Sequence, residues 1–366
     1  MKNLQITEPT LILDKQKCLA NISAMAEKAK RNNVVLRPHF KTHQSHEIGS
    51  WFRDFGVDRI TVSSLAMAEY FAADDWKDIT VAFPVNVLEI EKINSLASQI
   101  QLNLLVESVE SIQALALKLQ HKVGLFIKID IGYHRTGIDP QNRTLIDAIL
   151  RLVEQEEKMT FKGFLGHAGH SYKCRGDEEI RKVHESSKAL MMKVKLDYVA
   201  TYPNLVASIG DTPTCSRMDD FKGVDEIRPG NYVFYDLTQW GIGSCSLDQI
   251  AVATACPVVA KHPERSEIVV YGGGVHLAKD RAIFPGTDET YWGLVVQPEE
   301  DHWHIPNTES RVISLSQEHG IIRASQKVFD QTQIGDLLYI LPIHSCMNAN
   351  LMKAYTLLDG TGISRL

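Results

Sequence analysis

The sequence predicts an α/β protein: a (β/α)8 TIM-like barrel over residues 9–245, followed by a smaller, mostly β domain over residues 246–366 that residues 1–8 could join. Three observations predict it. Between residues 34 and 236, eight short apolar, β-branched runs alternate with longer stretches of helical period. Eight such units are what a (β/α)8 barrel requires, and the Gly-rich first turn of a doubly wound sheet is missing. After about residue 245 the texture changes to β-type runs separated by turn residues.

Taken in order, "QITEPTLILD" reads as a first strand that could belong to either domain. Leu19, Ile22, Met25 and Ala29 then recur at helical intervals, behind an Asp14 placed to cap them. The barrel strands follow as "VVLRPHF", "RITVSS", "ITVAFP", "QLNLLV", "VGLFIKID", "FKGFLGHAG", "LVASIG" and "EIRPGNYVFYD". Helices are expected between them, for example over 87–98 and over 177–199, where Ile180, Val183, Leu190, Val194 and Tyr198 mark one face. The second domain is read from "QIAVATACPVVAKH", "SEIVVYGGG", "YWGLVVQ", "HWHIPN", "RVISLSQEHGII" and "LLYILPIHSC".

Composition narrows the function. A chain of 366 residues that is 44% hydrophobic can bury a sizeable core. Its net charge is −6 with lysines and arginines scattered, which argues against nucleic acid and anionic membrane surfaces and for small-molecule partners. The six cysteines (Cys18, Cys174, Cys215, Cys245, Cys256 and Cys346) are far apart and form no CxxC pair, so no disulfide framework is expected. "MKNLQITEPT" lacks the apolar core of a secretory leader and no apolar run is long enough for a bilayer; a cytoplasmic protein is expected.

Barrel enzymes carry their chemistry at the C-terminal ends of the strands, and Lys41 directly follows "VVLRPHF". A lysine that forms a Schiff base needs a lowered pKa, which Arg37 and a cationic His43 nearby could supply. Other strand ends add to it: Arg135 in "KIDIGYHRTG"; His167, His170 and Tyr172 in "GFLGHAGHSY"; the turns "SIGDTPT" and "RPGNYVFYD". Backbone N–H groups of those two glycine-containing turns could cradle a phosphate. Near the C-terminus, "IHSC" places His344 and Cys346 two apart in a β-type run, on one face. Imidazole with thiolate suits zinc, and two protein ligands suit an open site better than a closed structural one. The run "YGGGVHLAKD" reads as a turn among strands, with His276 and Lys279 as candidate substrate contacts.

"RPHFKTHQ", "SLSQEHG" and "LPIHSC" together resemble the fold-type III pyridoxal phosphate enzymes with an alanine racemase-like barrel, in the D-serine dehydratase and D-threonine aldolase family. The resemblance spans nearly the whole chain. It implies that Lys41 holds pyridoxal 5'-phosphate as a Schiff base, that Arg135 lies near the cofactor's phenolic oxygen and that His167 packs on its ring. It puts Gly210, Asp211, Thr212, Gly230, Asn231 and Tyr232 in or beside the phosphate cup. Tyr172 and Arg228 compete for the place facing the pyridine nitrogen; a non-carboxylate there weakens the electron sink and makes a metal more useful.

It further implies a Zn2+ site, or one for another divalent ion, at His344 and Cys346. D-threonine aldolases resemble this chain but carry His and Asp there, so Cys346 points to a dehydratase. His319 is a candidate acid/base or metal-supporting residue. The function expected from the resemblance is elimination of water from a D-3-hydroxyamino acid (D-serine, D-threonine or D-threo-3-hydroxyaspartate), with Lys41 taking the alpha proton and the metal acting as Lewis acid on the beta hydroxyl. The alternative is retro-aldol cleavage to glycine and an aldehyde; a racemase and a non-catalytic cofactor-binding protein rank lower. A homodimer is expected by the same analogy.

Overall fold

The computed structural model describes residues 5–299, 303–304 and 309–366. They form two compact units: Ser23–Gly230, and the chain's start through Ile22 together with Asn231–Leu366. Among the described residues no helix is long and apolar enough to cross a membrane.

The first unit holds eight parallel strands, interleaved with helices as the sequence predicts. In chain order after β1 (Thr10–Leu13) they are β2 (Val35–Leu36), β3 (Ile60–Val62), β4 (Asp78–Pro84), β5 (Gln101–Val106), β6 (Val123–Lys128), β7 (Met159–Leu165), β8 (Val206–Ile209) and β9 (Glu226–Ile227). The sheet runs β3-β4-β5-β6-β7-β8-β9-β2, and a parallel bridge between His39 and Thr61 brings the segment after β2 back to β3. Strands covered on both faces need apolar side chains at every position; all six residues of β6, VGLFIK, are buried. The helices show only one buried stripe, as in Arg143–Glu154, which buries Ile146, Ile149, Leu150 and Val153 behind an Asn142 cap.

A buried ion network ties the strands together. Arg37 Nε donates to Glu226 Oε2 at 2.5 Å and Arg37 Nη1 to Asp78 Oδ1 at 2.8 Å. The Ser208 hydroxyl donates to Glu226 Oε1 at 2.6 Å and accepts from Arg228 Nε at 2.7 Å. Glu226→Ala would leave two buried guanidinium groups short of a counter-charge, and breaking such a network costs about 3–5 kcal/mol. The expected result is a correspondingly lower urea midpoint for the transition that reports on this unit; an unchanged midpoint would show that the network contributes nothing.

The second unit is all-β at its centre, with β10 (Val252–His262), β11 (Glu267–Tyr271), the small pair β12 (Ala282–Ile283) and β13 (Thr290–Tyr291), β14 (Gly293–Pro298), β15 (Trp303–His304), β16 (Arg311–Leu315), β17 (His319–Arg323), β18 (Leu337–Pro342), β19 (Ala354–Leu357) and β20 (Gly362–Ser364). The antiparallel order β11-β17-β16-β14-β18-β10 closes on itself because β10 also pairs with β11. Its interior is filled by Cys256, Val258, Ile268, Val270, Val295, Val312, Ile322 and Ile340. Strand β1 joins this sheet against β10 and β19.

One local expectation is overturned here. "IHSC" is not strand: β18 stops at Pro342 and Ser345–Met352 is a helix with His344 as its N-cap residue. The residue that satisfies the helix start comes from far along the chain, since Asp236 Oδ2 accepts the Ser345 N–H at 3.0 Å across 109 positions. The glycine run after β11 leads into a helical turn, Gly274–Leu277.

Candidate active site

Lys41 lies in the turn that follows the His39 bridge and is exposed. Its N–H donates to His39 Nδ1 at 3.3 Å, and its carbonyl accepts from Gln44 Nε2 at 3.0 Å. His39, inside "RPHFKTHQ", is a neighbour of Lys41 that sequence reasoning did not single out. Burial first, then the charges of Lys41 and Arg228, hold its imidazole pKa well below the ordinary value. Gly230 completes this corner: a Cβ there would stand 3.0 Å from His39 Cβ and from the His39 carbonyl oxygen, so the end of β9 presses directly on the lysine turn.

The charges expected to tune Lys41 are placed elsewhere. Arg37 is committed to Glu226 and Asp78. His43 is buried among Phe40, Phe52 and Phe71, with ring centroids 4.4, 5.7 and 5.8 Å away, and its Nδ1 accepts from Ser45 N–H. The strand-end cation that does stand out is Lys128, at the end of β6. Burial, aided by Arg228 and Arg135, lowers its amine to about 7. No local pattern marks it, because only tertiary burial distinguishes it from a surface lysine.

His167 follows β7, and its Nδ1–H donates to the Gly210 carbonyl at 2.6 Å, which fixes the tautomer. Burial, with Lys128 next in weight, holds its pKa well below the usual histidine range, so it is a neutral, flat ring. Tyr133 meets it edge-on with centroids 5.9 Å apart, and the Arg135 guanidinium lies 5.1 Å over the Tyr133 ring. Tyr172 rides on the 3-10 turn Gly169–Lys173 after β7, half-buried. Arg228 is buried and pinned by Ser208 and by the Gly166 carbonyl.

At the end of β8, Gly210 allows close approach: a Cβ would fall 2.5 Å from Arg228 N. The Asp211 carboxylate builds this loop, accepting from Thr214 N–H at 2.8 Å, from Thr214 Oγ1 at 2.7 Å and from Ser171 Oγ at 2.7 Å. Thr212, the first residue of the helix it caps, has a fully buried hydroxyl with no hydrogen-bond partner. Such an orphaned hydroxyl beside the close approach at Gly210 fits a phosphate oxygen. Lys41, Lys128, Arg135 and Arg228 add positive charge suited to an anionic cofactor and a substrate carboxylate.

Asn231 and Tyr232 open the 3-10 turn at the start of the second unit, and Tyr232 is fully buried. Asn231 Nδ2 is committed to Asp236 Oδ2 at 2.7 Å and Ser345 Oγ at 2.9 Å. In the same unit His344 and Cys346 are hydrogen-bonded through their side chains. His344 Nδ1 also meets Asp280 Oδ1 at 3.4 Å. Burial lowers the His344 pKa, but Asp280 and then Cys346 outweigh it and push it up to about 11. Among the described residues no three His, Cys, Asp or Glu side chains converge as a ligand set. His344 and Cys346 are the side chains that could hold a metal ion here, and imidazole with sulfur suits a borderline ion better than a hard one. His319 begins β17, exposed, its Nδ1 3.3 Å from Ser316 Oγ; it is Asp280 that touches His344.

Residues 13–237 match the alanine racemase N-terminal domain, and residues 251–358 a putative serine dehydratase domain. D-serine dehydratase of Dictyostelium discoideum is 31% identical over 93% of this chain and 90% of its own length. The chain belongs to the D-serine dehydratase and D-threonine aldolase family. Members of this family share a pyridoxal phosphate-dependent lyase framework, and this chain is such a lyase. D-threo-3-hydroxyaspartate dehydratase of Delftia sp. is 28% identical, covering 98% of this chain and 96% of that one. A cysteine-to-alanine variant of D-threo-3-hydroxyaspartate dehydratase in the metal-free form superposes with a TM-score of 0.91 at 27% identity, covering 99% of this chain and 98% of that one.

Proposed function

We propose that this chain, using pyridoxal phosphate and a zinc ion, eliminates water from a D-3-hydroxyamino acid, and that hydrolysis of the released enamine gives a keto acid and ammonia. The observation that carries the choice of elimination is the donor pair: His344 stands with a cysteine, and relatives 31% and 28% identical to this chain are dehydratases. Pyridoxal phosphate, when bound, supplies an electron sink for the charge left at the alpha carbon.

The chain's own groups do the rest. Lys41 holds the cofactor, and its amine takes the alpha proton from the side on which it is tethered, which sets the preference for D substrates. His39 braces the Lys41 turn through the backbone bond described above. Neutral His167 offers a ring to stack on without adding charge, and Arg135 and Lys128 supply positive charge along the same rim. Thr212 Oγ1 and the backbone at Gly210, Gly230, Asn231 and Tyr232 receive the phosphate, with Asp211 shaping the loop. His344 and Cys346 would hold the metal, which would supply Lewis acidity for departure of the beta hydroxyl. His319 is kept as a candidate proton carrier, and the assembly as a homodimer that light scattering on the purified protein would check.

The decisive experiment uses D-threonine. Elimination yields 2-oxobutanoate, whereas retro-aldol cleavage yields glycine and acetaldehyde. The expected result is keto acid from D-serine, D-threonine or D-threo-3-hydroxyaspartate that disappears on chelation and returns with zinc. Glycine and aldehyde, restored best by manganese or magnesium, would replace this reading with the aldolase.

A further inference from the structure

The glycine run that follows β11 takes no part in the chemistry above, yet its construction is demanding. A Cβ at Gly272 would stand 2.4 Å from Cys256 Sγ, and one at Gly273 2.3 Å from the Gln317 carbonyl oxygen. Gly272 N–H donates to Glu318 O at 2.9 Å and Gly274 N–H to Ser316 O at 2.8 Å, so the run is clamped on the β16–β17 turn. Its far side is held by the helix that carries Cys346: buried Asn348 donates to the His276 carbonyl at 2.7 Å while also paired with Thr254. Leu277 is buried and Ala278 takes a positive φ of 66°, which turns the chain. Two residues later Asp280 Oδ1 lies 3.4 Å from His344 Nδ1.

We infer that Asp280 is a positioning residue for the metal site, and that the Gly272–Asp280 segment is the device that presents it. This rests on the assignment of His344 and Cys346 as metal ligands. A carboxylate can only accept, so Nδ1 carries the proton and Nε2 keeps its lone pair for the metal. The same contact fixes the ring's rotation and raises its donor strength, and losing such a partner typically weakens metal affinity by about 10–100-fold. Asp280 is half-exposed and closes the run "YGGGVHLAKD", which reads from sequence as a turn, so nothing local marks it as a partner of His344.

The test measures zinc affinity of the pyridoxal phosphate-loaded protein by competition with a chromophoric chelator. Asp280→Ala should bind zinc roughly 10–100-fold more weakly. Asp280→Asn, whose amide oxygen still accepts from Nδ1–H, should lose clearly less, and the cofactor's visible absorbance should be unchanged in both. Wild-type zinc affinity in Asp280→Ala, or an equal loss in the two variants, overturns the assignment while leaving the ligand pair standing. Undiminished binding by His344→Ala would instead remove the ligand pair, and the role of Asp280 with it.

Discussion

Lys41→Ala is expected to abolish the covalent hold on the cofactor and lower turnover of D-serine by roughly a thousandfold or more, because one amine serves as both tether and base. Each role has a separate readout. The absorbance of the Schiff base should vanish, while the phosphate cup at Gly210 and Thr212 can still retain free pyridoxal phosphate reversibly. There is a competitor within the barrel: Lys128 also ends a strand, and its amine, lowered to about 7, is the more readily deprotonated kind. Borohydride reduction of the wild-type protein followed by peptide mapping decides between them. The label is expected on the peptide containing Lys41; a label on Lys128, or full D-serine turnover in Lys41→Ala, would sink the assignment.

Cys346→Ala is expected to separate the two cofactors. Zinc should be lost, and elimination should slow by roughly a hundredfold or more, since Lewis-acid help is worth several kcal/mol and about 1.4 kcal/mol is tenfold. Pyridoxal phosphate should remain on Lys41 with its Schiff-base absorbance, because the covalent tether is that amine and not the thiol. Cys346→Asp should recover a metal but prefer manganese or magnesium, as an oxygen donor replaces sulfur. Zinc retained at full stoichiometry in Cys346→Ala would place the ion elsewhere. An Ala variant that keeps full keto acid production would mean that the reaction does not depend on this thiol.

The barrel strands were legible because parallel strands buried on both faces need unbroken apolar runs, and "QLNLLV" coincides with Gln101–Val106. The helix Lys15–Arg31 was legible for a local reason too, since Asp14 Oδ1 accepts from Lys17 N–H at 3.0 Å. The helix at Ser345–Met352 was not. Its first turn is satisfied by Asp236, and a cap delivered from 109 positions away leaves no signal in "HSCMNANLM".

The same division runs through the candidate site. Sequence by itself determined the fold class and the family, and it nominated Lys41 and the His344–Cys346 pair, because motif spacing and strand ends are local properties of the chain. Tertiary structure alone decided that Arg37 serves Glu226 and Asp78, that His39 and His167 stay neutral, that Lys128 sits near neutrality and that Asp280 reaches His344 across 64 positions. Protonation and pairing depend on burial and on charges brought together by folding, and neither is written in the order of neighbouring residues.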